Sequence, residues 1–234
     1  MHFASKTFMS VILIGFFVAG STSPLIAENL NKWAISCSVD EGAITRQDNV
    51  WRFTTSKNRC PGGSWKQRAE LSTRHETPSL KGAYMFASNV AMQSLRPKRF
   101  DIFQLHDGRR FCAPPLKVTV LPDGRLELWS DVAFNNGECI YGKLTKRPSS
   151  GRLVFDGTEQ ELKILIDFDG TGGFDIYVWL DGKMEASGQY NQPTQSNAFR
   201  STKFYFKHGA YSQEMFDYVL TSRDMSVKKV RLKN

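Results

Sequence analysis

The chain has 234 residues, with 31 lysines and arginines against 23 aspartates and glutamates, a formal net charge of +8. That length fits one domain of the size β-sandwiches and barrels reach, and the positive balance points to an anionic partner. The cations are scattered rather than blocked, which argues against nucleic acid as that partner.

At the N-terminus Lys6 precedes an apolar run from Met9 to Gly20 and small residues up to Ala27, the pattern of a signal peptide over residues 1–27. A membrane span needs about 20 apolar residues, and this run breaks at Ser21, Thr22, Ser23 and Pro24. The expectation is a secreted or periplasmic product, residues 28–234, folded as a single domain and free of the membrane. It loses only Lys6 among the charged residues, so it stays near +7, and an exported cationic chain meets acidic glycans. Monomer is the default state.

Four cysteines, Cys37, Cys60, Cys112 and Cys139, remain after processing. An even count in an exported chain favours disulfides. Three pairings are possible, and proximity favours Cys37 with Cys60 and Cys112 with Cys139, each worth about 2 to 4 kcal/mol. No CxxC spacing points to zinc.

From Trp33 onward, short β-branched and aromatic runs alternate with turn residues, and no 3.6-residue apolar period follows the signal. This is an all-β pattern. Turns are expected at Pro61 to Gly63, Leu121 to Gly124, Asn135 to Gly137, Asp169 to Gly173 and Leu180 to Lys183. KVTVLPDGRLELWS and FDIYVWLDGKMEASG each read as strand, tight turn, strand, as in two antiparallel sheets packed into a concanavalin-like β-sandwich or jelly roll. The polar stretch Gly188 to Ser201 reads as a loop and a candidate flap over a groove. DFDGTGGFD has Asp167, Asp169 and Gly172 at calcium-loop spacing, but Val178 stands at the twelfth position, so it reads as a hairpin turn. The basic tail KKVRLKN reads as a solvated terminus.

Residues two apart in a strand share a face. In KQRAELSTR that groups Arg68, Glu70, Ser72 and Arg74 against Ala69, Leu71 and Thr73. In FDIFQLHD it places Gln104 and His106 beside Ile102, opposite Phe103 and Leu105. In KFYFKHGAYSQ it places Tyr205, Lys207 and Tyr211 opposite Phe204 and Phe206, provided Gly209 does not bulge the strand. Polar outward residues are ordinary on a half-exposed sheet. Gln104 with His106 in a short aromatic-flanked strand is less so, because such groups must be solvated or mutually bonded.

On these residues the chain resembles polysaccharide lyase family 7, the alginate lyases, and the related jelly-roll lyases that include glucuronan lyases and heparin-lyase-like proteins. RAELS (Arg68 to Ser72) matches the family's R-x-E-L-R strand, QLH (Gln104 to His106) its Q-[IV]-H strand, and YFKHGAYSQ (Tyr205 to Gln213) its YFKxGxYxQ strand. The resemblance implies that Arg68 and Gln104 contact the substrate carboxylate, that His106 and Tyr211 handle protons, and that Glu70, Arg74, Tyr205, Lys207 and Gln213 support or bind substrate. Two positions depart from the pattern. Ser72 stands where the alginate lyases usually have a second arginine, which removes a fork suited to carboxylate and opens other uronate polymers such as glucuronan. His208 stands where the family often has a small residue.

The implied reaction is β-elimination at a uronic acid, with no metal and no cofactor. The carbon beside a charged carboxylate is a very poor acid, so Arg68 and Gln104 would neutralise the carboxylate as charge builds in the transition state. His106, neutral near pH 7, is one candidate base. Tyr211 is the candidate acid, or acts as base itself when proton and leaving group share a face of the sugar. A non-catalytic lectin-like module of the same fold is the alternative; a glycoside hydrolase would need paired carboxylates, and Glu70 has no clear acidic partner.

Overall fold

In a computed structural model of the chain, residues 30–58, 67–74, 77–109, 112–147 and 149–232 are described. The expected signal peptide, the Pro61 to Gly63 turn and Cys60 lie outside them. No helix among the described residues is long and apolar enough to cross a membrane.

Among the described residues fifteen strands follow in order: β1 (Ala34–Ile35), β2 (Ile44–Gln47), β3 (Val50–Thr54), β4 (Gln67–Ser72), β5 (Lys81–Gln93), β6 (Phe100–His106), β7 (Leu116–Val120), β8 (Leu126–Ala133), β9 (Cys139–Lys143), β10 (Thr145–Arg147), β11 (Asp156–Asp169), β12 (Phe174–Leu180), β13 (Lys183–Tyr190), β14 (Tyr205–Ser212) and β15 (Val219–Val230). They form two antiparallel sheets, one ordered β1-β4-β14-β6-β7-β8-β9 and the other β10-β13-β12-β11-β5-β15-β3-β2. Sequential hairpins combine with pairings between strands distant in sequence, β4 with β14 and β14 with β6 in one sheet and β11 with β5 and β5 with β15 in the other, to make this a jelly roll, as the turn spacing predicts.

Alternation decides which face each strand buries. In β12, Phe174, Ile176, Val178 and Leu180 are buried while the residues between them are half-buried. Aromatic rings fill the core: Phe86 lies 5.0 Å from Phe103 of the opposite sheet, Phe168 stacks at 5.1 Å on Phe204, and within one sheet Phe174 stacks at 5.1 Å on its cross-strand partner Tyr190. Each such ring contributes about 1.5 to 3 kcal/mol by leaving water. His208 belongs to this core. Its ring packs 4.9 Å from Phe86, its Nε2 lies 2.6 Å from the Ser222 hydroxyl on the opposite sheet, and burial pushes its pKa down to about 4. The departure at His208 is therefore a neutral bolt between the sheets.

The turns follow their residues. Asp181 and Gly182 both have positive φ, 49° and 76°, joining β12 to β13 through the two-residue turn whose twist suits a hairpin. At Asp169 the carboxylate accepts the N–H groups of Thr171 and Gly173 at 2.6 and 3.1 Å, so it closes the hairpin turn the sequence predicts. Cys112 and Cys139 are bonded, and Cys37 is also disulfide-bonded.

Residues 188–201 are not a free flap. Gly188 to Tyr190 belong to β13, and the rest is pinned: Ala198 bridges to Phe134, and the Phe199 N–H donates to the Ala133 carbonyl at 2.8 Å. The Ser201 hydroxyl donates to Asp107 at 2.5 Å. Asp107 in turn grips Arg109, whose Nε and Nη2 donate to it at 2.9 and 2.7 Å, while Arg109 also reaches the Asp131 carbonyl and the Tyr190 hydroxyl. Both charges are buried, so removing one leaves the other unpaired in a dry site. Asp107→Ala is expected to cost about 3 to 5 kcal/mol, read as a lower urea midpoint at unchanged slope; an unchanged midpoint would show that this pair does not hold the loop.

Candidate functional site

The three strands singled out in the sequence are neighbours in one sheet, with β14 between β4 and β6. The β4 register sets Tyr211 opposite Arg68, Gly209 opposite Glu70 and Lys207 opposite Ser72. The β6 register sets Tyr205 opposite His106, Lys207 opposite Gln104 and Tyr211 opposite Asp101. Cross-strand partners lie about 4.5 to 5.5 Å apart, so the side chains opposite the core make one patch.

Gly209 does bulge, but toward β6 alone; pairing to β4 runs unbroken, so Tyr211 stays on the patch. The glycine is required there: φ is +142°, and a Cβ would sit 2.2 Å from the Ala69 carbonyl oxygen. A second irregularity, between Asp101 and Phe103, overturns one expectation. Ile102 is in the core rather than beside Gln104 and His106. Asp101 takes the patch position instead, opposite Tyr211, with Thr119 donating to it at 2.5 Å.

Contacts tie the patch together. Glu70 is 1% exposed and accepts from Arg68 Nε at 2.9 Å, with Lys207 Nζ at 3.8 Å. The Arg68 guanidinium lies over the Tyr211 ring, 5.0 Å from its centroid. Tyr205 stacks on His106 with centroids 5.1 Å apart. Gln104 is 2% exposed, and its amide Nε2 has no hydrogen-bond partner among the described residues. A buried donor without an acceptor is costly, and an incoming carboxylate oxygen would satisfy it.

Burial sets the protonation states. Burial lowers the His106 pKa to about 3, and the Lys207 charge pushes the same way. Burial also lowers Lys207 to about 8, opposed by Glu70. Tyr205 is raised to about 12 by burial, and Tyr211 is raised as well, opposed by Arg68. Burial lifts Asp101 to about 6 against the pull of Lys117. The Gly108 N–H donates to His106 Nδ1 at 2.9 Å. A neutral imidazole accepting at Nδ1 carries its proton on Nε2, so His106 offers a donor.

Arg68, Glu70, Gln104, His106, Tyr205, Lys207 and Tyr211 thus converge. Arg74 and Gln213 do not: each lies past the end of its strand and is exposed, although the Arg74 charge still acts on Lys207 and Tyr205. Asp101 and the Asp107–Arg109 brace behind His106 were not singled out; an irregularity at a non-glycine residue leaves no mark in the sequence.

Solved structures share this architecture. The alginate lyase AlgAT5 of polysaccharide lyase family 7 superposes with a TM-score of 0.55 at 15% identity, over 87% of this chain and 95% of that one. The fold is that of the jelly-roll polysaccharide lyases. An endo-β-1,4-glucuronan lyase from Trichoderma reesei also gives 0.55, at 14% identity over 87% and 90% of the two chains. The alginate lyase PA1167 from Pseudomonas aeruginosa gives 0.54, at 15% identity over 81% and 86%. No protein-family model and no curated protein sequence matches the chain. At these identities the lyase likeness is one of fold, and the site must argue for its own chemistry.

Proposed function

We propose that the chain is an exported polysaccharide lyase that cleaves a uronic-acid polymer by β-elimination, without a metal. The observation that carries this is the convergence on β4, β14 and β6 of two cations, an orphaned amide donor, a histidine and a tyrosine. Arg68 and Gln104 take the substrate carboxylate, and His106 adds its Nε2–H. Together they stabilise the charge that develops when the adjacent carbon loses its proton.

With His106 Nδ1 held by Gly108, the base is Tyr211. Its phenolate takes the proton from the carbon bearing the carboxylate and becomes a phenol. The electron pair forms the double bond, the glycosidic C–O bond breaks, and the same phenol protonates the departing oxygen, returning to phenolate. One group serves both ends only where proton and leaving oxygen share a face of the ring, as in D-mannuronate and D-glucuronate. These are the proposed substrates.

The pH profile tests this division of labour. Because burial raises the Tyr211 pKa, it rests as the phenol and its small phenolate fraction keeps growing with pH, so log kcat/KM is expected to climb from pH 6 and bend near 8, where Lys207 loses its charge. A flat profile from pH 5 to 8 would hand the base role to His106, already neutral above about 3. His106→Gln, which keeps a donor, is expected to retain activity within about tenfold, whereas a loss near 10³ would mark His106 as the base.

A further inference from the structure

The same face of the sheet continues past the patch. Row by row, Gln104 on β6 pairs with Lys117 on β7, Lys117 with Trp129 on β8, and Trp129 with Lys143 on β9. At about 4.8 Å per strand, Lys117, Trp129 and Lys143 stand roughly 5, 10 and 14 Å from Gln104. Trp129 and Tyr141 lie flat together, centroids 4.6 Å apart and planes within 8°. Around them sit three cations: the Arg99 guanidinium 5.0 Å from the Trp129 ring and donating to the Tyr141 hydroxyl at 3.2 Å, Lys117 Nζ 4.6 Å from the Tyr141 ring, and Lys143 Nζ 5.7 Å from the Trp129 ring. Two carboxylates answer them: Glu127, which accepts from Lys143 at 2.5 Å and from Trp129 Nε1 at 2.9 Å, and the buried Asp101, on which Lys117 and Arg99 both act. Tyr141 is 48% exposed.

We infer that this cluster is a second binding subsite, for uronate residues of the polymer remote from the bond being cut. A chain crossing the strands from Lys207 over Gln104 meets Lys117 and then the aromatic pair. The excess of one positive charge suits a carboxylate of the chain, and the half-exposed Tyr141 ring offers apolar surface to a pyranose. Its ligand class rests on the uronate reading above, but its position does not.

The test is binding of oligomannuronates and oligoglucuronates of increasing length by titration calorimetry, on the wild type, Trp129→Ala and Lys143→Glu. Affinity for long oligomers is expected to fall about tenfold in either variant, while affinity for a disaccharide, too short to reach from Gln104 to Trp129, follows the wild type, so the gain with length is lost. Lys143→Glu leaves the rings in place and keeps the test valid should Trp129→Ala fold poorly. Wild-type length dependence in both variants would overturn the subsite, even in an active lyase. Length-dependent binding lost in the variants of a protein that cleaves nothing would sustain the subsite and overturn the lyase reading. A wild type that binds neither series would overturn both.

Discussion

Tyr211→Phe is expected to lower kcat by about 10³ or more, the upper range for a proton-transfer group, while the protein still binds polyuronate. The substitution removes one hydroxyl and keeps the ring beneath the Arg68 guanidinium, 5.0 Å away, so the β4 to β14 ladder and the cation–π contact persist. In the proposed cycle that hydroxyl carries the proton at both ends; of its neighbours, His106 presents a donor, Lys207 is engaged with Glu70, and Tyr205 is stacked on His106. Stopped turnover with binding unchanged is the signature. Turnover within tenfold of wild type would place the proton elsewhere.

Arg68→Ala is expected to cost about 10² to 10³ in kcat/KM, the scale of losing a preorganised donor to developing charge, with KM raised as well. In the proposed cycle one guanidinium contacts the carboxylate in both ground and transition state, so both parameters should move. Arg68 also pairs with Glu70, 1% exposed, and its loss leaves that carboxylate with Lys207 at 3.8 Å. Arg68→Lys separates the two roles: it restores charge beside Glu70 but not the planar fork, so it should recover stability more than rate. Wild-type kinetics in Arg68→Ala would remove it from the site.

Strand alternation made much of this legible. Arg68 with Glu70, Gln104 with His106, and Tyr205 with Lys207 and Tyr211 could be grouped because period two is fixed by backbone geometry. The two-residue Asp181–Gly182 turn and the Cys112–Cys139 bond were readable for the same local reason. What failed depends on neighbours distant in sequence. Ile102 and Asp101 exchanged faces because β6 shifts register against both β14 and β7. The stretch after Tyr190 looked like a flap because its composition is polar, yet Ser201 reaches a carboxylate 94 residues away. The Trp129–Tyr141 pair arises from β8 lying beside β9 in a particular register, which alternation within one strand does not report.

The most direct measurement is ultraviolet absorbance during incubation of the purified protein with polymannuronate, glucuronan, polyguluronate, alginate, heparin and hyaluronan. Elimination creates a conjugated unsaturated uronate that hydrolysis cannot. Absorbance is expected to rise with polymannuronate or glucuronan and far more slowly with polyguluronate. No rise with any polymer, in a protein that still binds them, would contradict the lyase reading and identify a lectin-like module on a lyase fold.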